Sequence, residues 1–285
     1  MTTLAYYEAQ LRDLLHDPND QFWSLTQKDN YINQARRQLV IDTGCLRSLQ
    51  TSYCSYGTEA YAFGQVGGAL ILSGGSNYTA PTINFTGGGG SGVAAILGVT
   101  GGAVTSITFT NFGSGYTSAP SYTISDSTGG GATLAVGVVN VNTYDIIDLK
   151  AIQGSDRYSL MWRPFSEFSA MLRPLTNYYG QPGMWAVFGE NQYFLGPLPD
   201  QTYQLEIDSV VLPTALTDYV TNDPIPTLRQ DVVQFYAAYM AKFNDQSFGE
   251  AAVFRKQYDM KLQETGGAYV RRIPNIYDGI DFKKG

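Results

Sequence analysis

The sequence predicts an α+β protein, with terminal helices forming a small bundle, an antiparallel β region, and an inserted all-β duplicated module. Three observations predict it. Apolar residues recur at three- and four-residue spacing near both ends of the 285-residue chain, the period of a helix with one buried face. Between them, apolar and polar residues alternate in short runs, the period of a half-buried strand. From Gly64 to Thr143, 80 positions hold 19 of the 31 glycines and one charged residue, Asp126. That composition sets the stretch apart from both flanks.

Leu4, Tyr7, Leu11, Leu14 and Leu15 place one apolar stripe on a helix from Thr3 to His16. Asp17-Pro18 ends it, because proline disfavours helical geometry in the residue before it. Thr26 is expected to cap a second helix, with Asp29 at its third position. Ile32, Ala35, Leu39 and Val40 form its buried face, Arg36 and Arg37 point elsewhere, and Gly44 takes the left-handed turn after it. Residues 45–63 read as loop or short strand. After the Gly-rich stretch, Tyr144 to Leu149 reads as a strand. A short helix follows, with Phe165, Phe168, Met171 and Leu172 on one side. Trp185–Phe188 and Gln192–Leu195 read as a hairpin around Gly189-Glu190-Asn191. Gly196-Pro197-Leu198-Pro199-Asp200 is a rigid turn. Tyr203, Leu205 and Ile207 alternate with Gln204, Glu206 and Asp208. Two helices are expected from Leu228 to Phe243 and from Phe248 to Glu264, the second ended by Gly266-Gly267 and followed by an extended tail.

The Gly-rich segment repeats itself. Ser76-Asn77-Tyr78-Thr79-Ala80-Pro81 followed by Ile83-Asn84-Phe85 returns as Ser114-Gly115-Tyr116-Thr117-Ser118-Ala119-Pro120 followed by Tyr122-Thr123-Ile124. Each copy continues into a glycine run, Gly87–Gly90 or Gly129–Gly131, and then into small and branched apolar residues. Tyr78 is thereby matched to Tyr116 at an offset of 38, and Pro81 to Pro120 at 39. In Val104–Thr110 the branched residues alternate as in strands.

Composition narrows the chemistry. The 44% hydrophobic content supports a packed core, and the net charge of −7 argues against general attraction to nucleic acid. There is no apolar run of about 18 residues, the length a membrane span needs. The N-terminus lacks the basic start and apolar stretch of a signal peptide, so production in a host cytoplasm is expected. Cys45 and Cys54 are then expected as free thiols, since a reducing compartment disfavours disulfides. One histidine, His16, and two cysteines do not supply an ordinary zinc site, and no cofactor is expected. Gly87–Gly90 is followed by no Lys-Ser or Lys-Thr, so it is not a phosphate loop.

The layout resembles the head-to-tail adaptor (connector) proteins of tailed bacteriophages. Tyr31-Ile32-Asn33-Gln34-Ala35-Arg36-Arg37, Gly196–Leu205, Phe235–Ala241 and Phe254–Tyr258 carry the resemblance, which spans roughly residues 3–60 and 145–265. The block 113–120 is similar to repeated modules of other phage virion proteins. The resemblance implies a structural virion protein at the head–tail interface, not an enzyme. It implies a ring, of twelve copies, that contacts the portal and a tail or nozzle protein while DNA passes through the channel without specific binding.

The domain reading is an adaptor core of 1–63 and 144–265, an inserted β-repeat module at 64–143, and a C-terminal tail at 266–285. The tail's Tyr269, Arg271, Arg272, Ile273, Ile276, Tyr277 and Phe282 are the candidate portal contacts. Tyr78 and Tyr116 are the candidate exposed module loops, and on these two with Tyr122 rests the alternative reading, a receptor- or glycan-binding tail protein. Tyrosines closing small β-loops are the plainer account of the same residues. For a glycosidase, Glu167, Glu190, Glu206 and Asp208 are the candidate carboxylates, but nothing in their spacing raises them above surface residues.

Overall fold

The computed structural model describes residues 2–172 and 177–270, the last five of these by backbone alone. In chain order, α1 is Leu4–Leu15 and α2 is Leu25–Thr43. Two strands follow, β1 (Arg47–Tyr53) and β2 (Ala60–Ala62). Then come β3 (Val66–Ser76), β4 (Thr82–Thr86), β5 (Ser91–Thr100), β6 (Ala103–Ser114), β7 (Ser121–Ser125) and β8 (Gly130–Val138). Next are β9 (Thr143–Gln153), β10 (Asp156–Ser159), β11 (Met161–Trp162) and α3 (Phe165–Leu172). The strands end with β12 (Tyr179–Gly180), β13 (Met184–Phe188), β14 (Gln192–Gly196), β15 (Leu198–Pro199) and β16 (Gln204–Val211). The last helices are α4 (Thr227–Asn244) and α5 (Phe248–Val270). The protein is thus mixed α+β, and it divides into two compact units. One joins Met1–Leu46 to the chain from Leu212 onward; the other is Arg47–Val211.

In the helical unit, α4 packs against α1, α2 and α5. The expected stripe of α1 is buried at Leu4, Tyr7, Leu11 and Leu15, and His16 ends the helix in the left-handed conformation (φ 54°). α2 starts two residues earlier than its sequence suggested. Ser24, not Thr26, is the cap: its Oγ accepts the Gln27 amide while the Gln27 side chain accepts the Ser24 amide. Such a cap contributes about 1 kcal/mol. Gly44 closes the helix at φ 57°, its amide on the Val40 carbonyl. The expectation that Arg36 points away from the core is corrected: its side chain is buried against Asp223. α5 also departs from expectation, because Gly266-Gly267 does not end it. Within a helix glycine costs about 1 kcal/mol relative to alanine, which weakens but does not forbid continuation. The buried faces of these helices include Val232, Val233, Ala237, Ala238, Ala241, Ala251 and Tyr258, while Phe243 is exposed.

In the β unit, one sheet has the order β1-β16-β9-β10, antiparallel throughout. A second has the order β11-β13-β14-β2, with β11 and β13 parallel. The alternation of β16 buries Leu205 and Ile207, which meet Leu149, Ala151, Trp185, Tyr193 and Leu195 in one apolar cluster. α3 seats Phe168 against Ala186 and Phe194.

The Gly-rich strands pair in three ribbons: β3 with β8, β4 with β7, and β5 with β6, all antiparallel. In the β4–β7 ribbon Ile83 faces Ile124, Asn84 faces Thr123, and Phe85 faces Tyr122. Two small cores result. Tyr116 packs with Val66, Val138, Val93, Phe109 and Val136. Tyr78 packs with Leu97 and Val104 together with Ile71, Val99 and Ala132. Glycine is required beside each ring. A Cβ on Gly90 would stand 2.5 Å from Tyr116 Cγ, and one on Gly129 would stand 2.5 Å from Tyr78 Cα.

Candidate partner-binding surfaces

Tyr78 and Tyr116 were expected at exposed loops; both are buried, at 5% and 2% exposure. The reason is local. The amide of Tyr78 bonds the Gly102 carbonyl and that of Tyr116 bonds the Gly64 carbonyl, which turns each ring under its own ribbon pair. The Tyr78 hydroxyl is used inside the module, accepting the Ala132 amide at 3.0 Å. Neither ring is free to stack on a sugar.

The module's single charge is a brace. The Asp126 carboxylate accepts the amides of Ala80 (2.8 Å), Gly129 (2.9 Å) and Thr128 (3.1 Å), and at longer range Thr79. These donors, led by Ala80, hold its pKa well below the usual carboxylate range. The carboxylate thereby ties the Tyr78 loop to the turn before β8.

Of the tail residues, Tyr269 falls in the last turn of α5. Arg271, Arg272, Ile273, Ile276, Tyr277 and Phe282 lie outside the described residues.

The candidate carboxylates do not converge. Glu206 pairs with Arg157 at 3.0 Å, Asp208 pairs with Arg47, Glu167 of α3 lies 3.4 Å from Arg163 just before that helix, and Glu190 is exposed in a turn. Among the described residues no three or more His, Cys, Asp or Glu side chains are grouped to hold a metal. Cys45 is a half-buried free thiol, and Cys54 is a buried one. Burial raises the Cys54 thiol to about 12, so it is held as the unreactive protonated form. No described helix is long and apolar enough to cross a membrane.

The ion pairs that matter are in the helical unit. Lys28 is fully buried, and its Nζ donates to Asp17 Oδ2 (3.0 Å), the Asp17 carbonyl (3.2 Å) and Asp20 Oδ1 (2.6 Å). Arg12 forks onto both oxygens of Asp20 at 2.9 and 3.1 Å. Arg12, then Lys28, draws the Asp20 pKa down to about 2. Sequence reading treated Asp17–Asp20 as a helix stop and missed Lys28, because a lysine in a helix gives no sign of which carboxylates will surround it.

The β unit carries exposed aromatic and sulfur side chains. Met161 and Trp162 stand on β11, an edge strand. Tyr56 and Tyr179 stack at 5.4 Å with ring planes 8° apart, both exposed. Exposed large apolar side chains of this kind are typical of surfaces that meet other proteins.

A family model described as SU10 adaptor protein matches residues 103–275. The match covers more than half of the chain, which therefore belongs to the SU10 adaptor protein family, the structural adaptors of phage particles. It begins at β6 and leaves out residues 1–102 and 276–285. No curated protein matches the chain. Membership implies a virion component that associates with portal and tail proteins.

Proposed function

We propose that the chain forms a closed ring between portal and tail, extends the channel through which DNA is ejected, and presents the platform for tail attachment. The family match over residues 103–275 carries this reading, because it runs through both main sheets and both C-terminal helices. The resemblance implies twelve copies. Such a ring needs a heterologous interface whose rotation closes. The net charge of −7 suits a channel that DNA slides through without adhering.

Within this reading residues 1–63 and 144–265 form the adaptor core, with the four terminal helices as its bundle and 64–143 as an insertion. Two observations support the insertion. Its entry and exit strands are neighbours, Val66 facing Val138, and the Gly64 amide bonds the Val139 carbonyl at 2.6 Å. Both ends thus leave from one place, as an inserted module requires. The make-up of its two small cores supports a duplication. Shifting the Tyr116 core by 38 or 39 positions gives the Tyr78 core: Val66 becomes Val104, Phe109 becomes Ile71, and Val138 becomes Val99. Asn84 and Thr123, equivalent by the same offset, face each other across β4 and β7. The module is read as a duplication folded about a local two-fold axis. The tail beyond α5 is read as a portal contact. The glycan-binding alternative loses Tyr78 and Tyr116 to burial, and keeps only the half-buried Tyr122, whose hydroxyl is bonded to the Leu134 backbone.

Averaged cryo-electron images of the head–tail junction test the reading. The expected result is a closed ring of this chain between portal and tail. Copies arranged with threefold symmetry at a fibre would overturn it.

A further inference from the structure

A groove of about 610 Å³ lies between α1, α4 and α5, beside the last turns of α5. Tyr6, Leu228 and Phe235 give it apolar walls, and Asp231, Lys261, Glu264 and Thr265 give it polar ones. Leu228 is 64% exposed and Tyr6 41%, unusual for large apolar side chains that share one concavity. The acidic groups are not equivalent. Glu264 is held by Lys261 at 2.8 Å, whereas Asp231 has the Tyr6 hydroxyl at 3.4 Å, a long hydrogen bond.

We infer that residues 271–285 of the same chain occupy this groove in the subunit before it assembles. Three arguments point to that occupant. The first is position. Thr265 lines the groove and Val270 ends α5, so the tail departs roughly 7.5 Å from the rim by helix rise. Fifteen residues reach about 50 Å when extended, far more than the return requires. A tethered segment that close acts at an effective concentration on the order of millimolar. Pro274 disfavours helical geometry at Ile273, which allows the chain to turn back. The second is apolar content: Ile273, Ile276, Tyr277, Ile280 and Phe282 suit walls of Tyr6, Leu228 and Phe235. The third is charge. The tail holds Arg271, Arg272, Lys283 and Lys284 against Asp278 and Asp281, a formal +2 in a chain of −7, so the other 270 residues carry −9. The groove's one cation, Lys261, pairs with Glu264 and feels Asp231 only at longer range, which leaves Asp231 to take one of those tail cations.

This goes beyond the ring: the segment read as a portal contact is stored on its own subunit until assembly. Photocrosslinking of the free, full-length protein tests it. A benzoylphenylalanine at Leu228 is compared with one at Val253, an exposed α5 position that is not part of the groove. The expected result is at least tenfold more crosslinking to peptides of 271–285 from position 228 than from 253. Asp231→Lys should reduce that yield severalfold, with the helical circular dichroism unchanged. Equal yields from 228 and 253 would overturn the inference. So would crosslinks that join isotopically light and heavy chains in a mixed sample, because the occupant would then be a second copy's tail.

Discussion

Arg36 and Asp223 form a two-bond ion pair sealed from water. Nε donates to Oδ2 at 3.0 Å and Nη2 to Oδ1 at 2.8 Å, with both side chains 1% exposed or less. The same carboxylate accepts the Tyr7 hydroxyl at 2.6 Å and the Ile225 amide at 3.1 Å. Arg36 also donates to the Thr214 carbonyl and to Asn33 Oδ1. α1, α2 and the segment before α4 therefore meet at one carboxylate. Removing one partner leaves the other charge buried, which costs about 3–5 kcal/mol. Asp223→Ala should destabilise the helical unit by that order in urea denaturation. A loss below 1 kcal/mol would show that the pair is not a junction.

Acid should weaken the helical unit through Asp20. Its pKa is depressed to about 2 in the folded state from an ordinary value of 3.8, so it binds a proton more readily when unfolded. Its contribution is complete above about pH 4 and is lost as pH falls toward 2. Asp20→Asn should flatten the fall in urea midpoint between pH 4 and pH 2. An unchanged slope would exclude this carboxylate as a source.

Glu8 carries the opposite sign. Burial, then the facing Asp29, raises its pKa, and Glu8 Oε1 and Asp29 Oδ1 are buried without a hydrogen-bond donor. The folded state therefore favours the protonated acid. Stability is fully present below the ordinary value of 4.5 and declines as pH rises through the raised one. Glu8→Gln should stabilise the protein at pH 7 by about 1 kcal/mol, since a neutral amide has no charge to desolvate or to set against Asp29. The gain should vanish at pH 4. A loss of thermal stability at pH 7 would mean that the 3.5 Å pairing with Arg12 dominates.

Adjacent glycines should respond differently. Ala at Gly129 would press its methyl into Tyr78, whereas at Gly130 it would meet nothing within 4 Å. Gly129→Ala should cost about 1–3 kcal/mol by overpacking. Gly130→Ala should stay within about 0.5 kcal/mol. Gly90→Ala, beside Tyr116, should copy the Gly129 result. Equal effects at 129 and 130, read by thermal unfolding, would argue against the packing described.

Replacing Val66–Val138 by a short Gly-Ser linker should leave the helical unit intact. The cut keeps Thr143, which starts β9 and accepts a bond from Gln50 Nε2 at 3.0 Å. It also uncovers Ser52 and Tyr53, whose backbone lies against Gly67 and Gly137. The expected outcome is an unchanged helical transition by circular dichroism, with a weakened β transition. Collapse of the helical transition would show that the segment belongs to the core.

The sequence alone determined much of the element order and the repeat. Those are local properties: the stripe of Leu4, Tyr7 and Leu11, the alternation of Leu205 and Ile207, the left-handed turn at Gly44. Each depends on residues within a few positions and on the period of one element. It also held the offset that matches Tyr78 to Tyr116. Only the tertiary structure decided that both tyrosines face inward, because a ring beside a glycine run can turn either way until Gly90 or Gly129 leaves room for it. It likewise decided that Arg36 is buried. Its partner Asp223 stands 187 residues away, and no local pattern predicts which carboxylate will cancel a charge. Ser24 took the cap from Thr26 because only the Ser24 backbone leaves the helix at an angle that lets Gln27 bond back. Desolvation and pairing between distant segments are settled by packing, which sequence spacing does not encode.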